Sequence, residues 1–171
     1  MSKQAYTPIV FVTFGLPGAG KTYAAKLFEP FGFKMHDGDD DLPEDMREAI
    51  NTQQPVNDEM RDRFFRRIIA HVGELVAVYP KVVVAQTFLK EKYRLQFLEQ
   101  FPQAQFVLVV ADERVREDRL VRRTNQPLEP NYTRRMVEMF ERPNISHQVI
   151  VNDSDGADDL LGQIEAVVQD R

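Results

Sequence analysis

The sequence predicts an α/β fold, a five-stranded parallel sheet with flanking helices, and three observations carry that prediction. Short apolar, β-branched runs alternate along the chain with longer amphipathic stretches, the pattern of strand–helix–strand units whose right-handed crossovers leave the strands parallel. Two of the runs, Val82–Ala85 and Val107–Val110, are apolar without alternation, as in strands covered on both faces. A glycine-rich segment, Gly15–Thr22, joins the first run to the first amphipathic stretch. Ligands of such sheets bind beyond the carboxyl ends of the strands, so chemistry is expected in the loops that follow them.

Taken in order, Ile9–Phe14 reads as the first strand and Lys21–Phe28 as the first helix. Phe33–His36 is a short second strand that runs into an acidic turn. Glu44–Gln53 and Asp58–Val78 are helical, and Pro80, which lacks an N–H and cannot continue a helix, stops the second of them. Lys81–Ala85 is the third strand, followed by a helix over Glu91–Gln100 that ends at Phe101-Pro102. Gln105–Val110 is the fourth strand and Glu113–Arg123 the next helix. Thr124–Asn131, with Pro127 and Pro130, reads as a loop before a helix over Thr133–Glu141. His147–Val151 is the fifth strand and Ala157–Val168 the last helix. With no repeat, low-complexity segment or linker, the 171 residues are expected to make one domain, 1–171.

Composition narrows the function. Apolar residues are 43 % of the chain, ample for one core, and the net charge is −5. Nucleic-acid binding leaves a basic footprint, which this balance lacks. The absence of cysteine excludes disulfides and thiolate metal sites, and His36, His71 and His147 show no metal-ligand spacing. No apolar stretch approaches the roughly 20 residues that span a bilayer, and the opening MSKQAYTP has no apolar signal-peptide core. The expectation is a soluble cytoplasmic protein whose partner is a small molecule, with neither nucleic acid nor membrane; a homodimer is left open.

Gly15-Leu16-Pro17-Gly18-Ala19-Gly20-Lys21-Thr22 satisfies G-x-x-x-x-G-K-[ST] between a strand and a helix, the P-loop context. Gly15, Gly18, Ala19 and Gly20 let backbone N–H groups converge on phosphate oxygens, and the helix N-terminus adds its positive dipole end. Lys21 would reach the β- and γ-phosphates and Thr22 would offer its hydroxyl to Mg²⁺. ATP with Mg²⁺ is the expected cofactor pair.

The acidic turn after the second strand, Asp37-Gly38-Asp39-Asp40-Asp41, lies beside this loop if that strand neighbours the first. Asp37 is the candidate for the metal through water, and Asp39 for orienting or deprotonating an acceptor hydroxyl. Asp40 or Asp41 is expected to cap the helix that begins at Leu42-Pro43-Glu44.

GLPGAGKT, then DGD, then Pro55-Val56-x-Asp58-x-x-Arg61 together resemble the gluconate kinase group, within the shikimate kinase and nucleoside-monophosphate kinase-like P-loop fold. Thr87-Phe88-Leu89-Lys90 with Tyr93-Arg94 is similar to a later block of that family, and Arg119-Leu120 with Arg123 to the block before its lid. The resemblance covers nearly the whole chain. It implies a P-loop kinase fold with a lid at approximately 124–133, whose arginines Arg119 and Arg123 close over ATP. It implies that Arg61 and Arg94 face the acceptor; Lys90, which follows the third strand, is a further candidate to contact it. The chain departs from the family at Leu42, Met46, Ala49, Gln53 and Gln126-Pro127, several of them polar positions near the sugar acid in that family.

Lys21, Asp39 and Arg123 are thus the candidate catalytic groups. The third strand ends Val84-Ala85-Gln86-Thr87 without the acid of a motor or switch ATPase. The expected activity is phosphoryl transfer from ATP to a hydroxyl of a sugar acid or similar polar acceptor. A nucleoside, nucleotide or polynucleotide 5′-hydroxyl kinase, or a non-catalytic ATP-binding regulatory module, is the alternative. Asp37, Asp39 and the arginines before the lid favour catalysis.

Overall fold

The computed structural model describes residues 6–123, 130–154 and 157–170. Its five strands, β1 (Ile9–Phe14), β2 (Lys34–Asp37), β3 (Lys81–Ala85), β4 (Gln105–Val110) and β5 (His147–Val151), form one parallel sheet in the order β2-β3-β1-β4-β5. The described helices are α1 (Lys21–Lys26), α2 (Glu44–Asn51), α3 (Asp58–Val76), α4 (Glu91–Gln100), α5 (Glu113–Arg122), α6 (Pro130–Met139) and α7 (Ala157–Gln169). None of these is long and apolar enough to cross a membrane.

The period-two alternation of β1 sends Val10, Val12 and Phe14 to one face of the sheet and Phe11 to the other. On the first face they meet Phe64, Phe65, Ile68 and Val72 of α3 and Tyr93 and Phe97 of α4. On the second, Phe11 packs with Ala24 and Ala25 of α1 and Leu160, Ile164 and Val167 of α7. Both faces of the central strands are therefore covered, which is why Val82–Ala85 and the β4 run need no polar alternation.

The element boundaries shift in places. Helix α1 stops at Lys26, and a one-turn 3-10 helix over Glu29–Phe31 leads into β2. Strand β2 includes Asp37, so the acidic turn begins at the strand's own end. Helix α5 ends at Arg122, with Arg123 already extended. Helix α6 begins at Pro130, within the segment expected as loop, because a first-turn proline lacks only an N–H that has no intrahelical acceptor.

The condition attached to the acidic turn is not met: β3 lies between β1 and β2. The turn is nevertheless carried to the P-loop. Gly38 packs so closely on β3 that a Cβ there would stand 3.0 Å from the Ala85 carbonyl oxygen and 2.9 Å from Gln86 Nε2. The one-turn 3-10 helix Gly38–Asp41 is thereby laid across the end of β3.

Candidate active site

The carboxyl ends of β1, β2 and β3 open into a cleft of about 560 Å³. Lys21 and Thr22 line it from the P-loop, Asp37 and Asp39 from the acidic turn, and Arg61 and Arg123 from α3 and the end of α5. The far wall is Leu42, just after the 3-10 turn, and Met46, Arg47 and Ile50 along α2, with Tyr132 and Met136 of α6.

The P-loop is fixed to the sheet from both ends. Thr13 Oγ1 donates to the Lys21 carbonyl at 3.0 Å. Gly20 is left-handed, φ 90°, and a Cβ on it would collide with the Asn152 amide. That close approach lets Asn152 Nδ2 donate to the Ala19 carbonyl at 2.9 Å. Arg119 donates to the carbonyls of Gly18, Ala19 and Asn152 at 3.1, 3.3 and 2.6 Å, clamping the loop to the end of β5.

Lys21 Nζ donates to the Leu16 carbonyl at 3.4 Å. Burial lowers its pKa to about 8, against the pull of the Asp39 and Asp37 carboxylates and with the repulsion of Arg123. A cation held this way seeks counter-charge, and phosphate oxygens provide it. Burial also raises the Asp37 pKa, offset in part by the Asp39 N–H, which donates to Asp37 Oδ1 at 3.0 Å. Asp39 is exposed to the cleft, and its Oδ1 accepts from Gln86 Nε2 at 3.0 Å. Arg47 Nη2 donates to the Asp39 carbonyl at 3.3 Å.

The acceptor-side expectations divide. Arg61 lines the cleft, half-buried, and donates to the Val56 carbonyl at 3.0 Å. Lys90 does not line it: its ammonium lies 3.4 Å from Asp58. Arg94, expected to face the acceptor, is fully buried. It donates to the carbonyls of Phe88, Leu89 and Glu141 at 2.9, 3.3 and 2.8 Å and to Glu91 at 2.9 Å, between the Phe14 and Phe140 rings. Its donors are spent on the fold. The lid residues 124–129, with Gln126 and Pro127, lie outside the described residues.

Asp40 and Asp41 do not cap α2; its N-cap is Pro43, without a side-chain bond. Asp41 is instead buried between His36 and His71.

Gln86, Arg47 and Tyr132 escape a reading of the sequence as site residues. Gln86 and Asn152 each immediately follow a strand, where the parallel-sheet rule directs attention. Arg47 and Tyr132 carry no local signal. Burial raises the Tyr132 pKa, with Arg61 opposing and Asp39 reinforcing the shift.

A P-loop of this fold binds ATP with Mg²⁺, and the residues fit both: converging N–H groups, a lysine in need of counter-charge, and a hydroxyl and a carboxylate for the ion. No curated protein sequence matches the chain. Among solved structures, an unliganded sugar kinase of Janibacter sp. HTCC2649 is 18 % identical with TM-score 0.81, covering 95 % of each chain. A gluconokinase of Sinorhizobium meliloti 1021 is 23 % identical with TM-score 0.72, covering 98 % of this chain and 100 % of that one. A shikimate kinase of Acinetobacter baumannii in complex with shikimate is 20 % identical with TM-score 0.64, covering 96 % and 94 %. These likenesses establish a P-loop kinase fold, and the family model described as AAA domain matches residues 10–151: the chain belongs to that family.

Proposed function

We propose that the chain transfers the γ-phosphoryl group of ATP to a hydroxyl of a small polar acceptor. The observation that carries this reading is the convergence of Lys21, Thr22 and Asp37 with Asp39, Arg47 and Arg61 on one cleft. Phosphoryl transfer needs little covalent chemistry from a protein; it needs positioning and charge stabilisation. Lys21 holds the phosphates. Thr22 and Asp37 would hold Mg²⁺, which when bound would supply charge neutralisation for the phosphates. Asp39, with Gln86 fixing its carboxylate, accepts the acceptor's hydroxyl proton as the new O–P bond forms and ADP departs. Arg119 and Arg123 are the cationic groups on the nucleotide side, Arg119 holding the loop and Arg123 offsetting charge on the transferred group.

Sugar acids are the first acceptor class, on the resemblance of the DGD and P-V-x-D-x-x-R blocks and the sugar kinase and gluconokinase likenesses. One observation favours a second class, an acceptor with an apolar body such as a nucleoside: Leu42, Met46 and Ile50 give the acceptor wall an apolar stripe. Acceptor-dependent ADP release, measured with ATP·Mg²⁺ against sugar acids, sugars, nucleosides and nucleotides, decides between them. A signal confined to sugar acids supports the first and one confined to nucleosides the second. ATP affinity without any acceptor-dependent turnover overturns both in favour of a binding module.

A further inference from the structure

Behind the acidic turn, outside the cleft, three residues meet: His36 on β2, Asp41 at the end of the 3-10 turn, and His71 on α3, thirty residues beyond Asp41. His36 Nε2 lies 2.6 Å from Asp41 Oδ2, and His71 Nδ1 lies 2.9 Å from Asp41 Oδ1. The imidazole centroids are 4.3 Å apart and inclined at 59°. One ligand atom from each residue falls within 4.8 Å of the others. We propose that His36, Asp41 and His71 form a binding site for a borderline divalent transition-metal ion, Zn²⁺ or Co²⁺ in character, separate from the nucleotide's Mg²⁺.

The donor set is the first reason. Two imidazole nitrogens and one carboxylate suit Zn²⁺ or Co²⁺, whereas Mg²⁺ takes oxygen ligands and keeps much of its water. Charge is the second. Asp41 is buried, and its side-chain partners are two imidazoles, with no lysine or arginine in contact among the described residues. A buried carboxylate needs a positive partner. A divalent ion supplies it while both imidazoles stay neutral. Access is the third: the His71 side chain is 41 % exposed, so an ion can enter and water can complete a tetrahedron.

The two short contacts are hydrogen bonds, and a cation takes the place of their shared protons. On neutral rings those protons move to His36 Nδ1 and His71 Nε2, so no co-reactant is required. Bonds of about 2.0–2.1 Å in a tetrahedron set ligand atoms roughly 3.3 Å apart, against contacts of 2.6 and 2.9 Å and an outer limit of 4.8 Å here. Asp41 closes the same turn that presents Asp39, so the ion would sit against the back of the acceptor-side carboxylates.

The test is titration of the full chain, free of any histidine tag and of nucleotide, with Co²⁺ followed by visible absorption and with Zn²⁺ followed by calorimetry. The expected result is one equivalent bound per chain, with the intense visible bands of low-coordinate Co²⁺. His71→Gln and Asp41→Asn should weaken binding by at least the ~10–100-fold that loss of a mere outer-shell partner costs. Lys21→Ala and His147→Gln should leave it unchanged. Circular dichroism of His71→Gln, altered at a partly exposed position, separates a lost ligand from a lost fold. Absence of Co²⁺ bands in the wild-type chain, or binding unaffected by His71→Gln in a folded protein, overturns the proposal and leaves a hydrogen-bonded triad.

Discussion

At the scale of single residues, Lys21 and Asp39 are asked to do different things. Lys21 is the proposed phosphate-holding group, so Lys21→Ala should lower turnover by about 10²–10³-fold or more while the far-ultraviolet circular dichroism stays that of the wild type. Asp39 is asked to act on the acceptor. Asp39→Asn should cut kcat by about 10²–10⁴-fold and move the ATP dissociation constant only a few-fold. The reverse split, weak ATP binding with turnover spared, would make Asp39 a metal or structural residue. Gln86 supplies the hydrogen bond that orients Asp39. Gln86→Leu should cost about tenfold in kcat, the scale of one hydrogen bond to a charged group, with ATP affinity retained. Lys21, Thr22 and the loop glycines are legible in the sequence because their chemistry is local, compressed into eight consecutive residues. Gln86 is not, because its partner lies 47 residues away and its side chain gives no charge to notice. Histidines that look scattered in sequence meet only once β2 and α3 are packed.

At the scale of elements, the loop after β3 shows how the fold holds an unfavourable backbone. Phe88 is left-handed, φ 48°, a conformation that L-residues with bulky side chains rarely adopt. Arg94 of α4 pins it, donating to the carbonyls of Phe88 and Leu89, two cleft-lining residues. The resemblance implied that Arg94 faces the acceptor; in the structure it is fully buried and its donors go to this loop, to Glu91 and to the Glu141 carbonyl. Arg94→Met should destabilise the fold by about 3 kcal/mol or more, measured by denaturant unfolding, because it strands the Glu91 carboxylate and several carbonyls.

Glu91 offers a pH test of the same corner. Burial raises its pKa, but the N–H groups of Asn144 and Ile145 and the Arg94 guanidinium outweigh that and leave it below the ordinary value. A carboxyl depressed in the folded state binds fewer protons there than in the unfolded chain. Its stabilisation is therefore present above the unfolded pKa and lost as pH falls through the folded one. Glu91→Gln should flatten the acid limb of the stability profile below about pH 4.5.

Gln53 carries the complementary lesson. It stands where the resembling family has glycine, and its φ is 59°. Gln53→Gly should stabilise by about 1 kcal/mol, a rise in Tm of ~2–4 °C by calorimetry.

At the scale of the whole molecule, the alternation of apolar runs and amphipathic stretches was sufficient for the five strands and for their parallel sense, because each strand is short and the central ones are covered on both faces. Strand order was not readable in the same way. Nothing local in β2 says that β3 lies between it and β1. What rescues the site is Gly38, whose missing side chain lets the acidic turn ride over Ala85 and Gln86 toward Lys21. The sheet thus brings a phosphate site and an acceptor-side carboxylate to one cleft from strands that do not touch.

That convergence is the central claim, and following the label of γ-labelled ATP tests it most directly. The wild-type chain is incubated with Mg²⁺ and each acceptor, and the label is traced to organic product or to inorganic phosphate. The account predicts label on a hydroxyl of the acceptor, transfer abolished by Lys21→Ala, and transfer reduced far more than ATP binding by Asp39→Asn. Label that appears only as inorganic phosphate, at a rate no acceptor changes, would contradict it and make this cleft a nucleotide switch rather than a kinase.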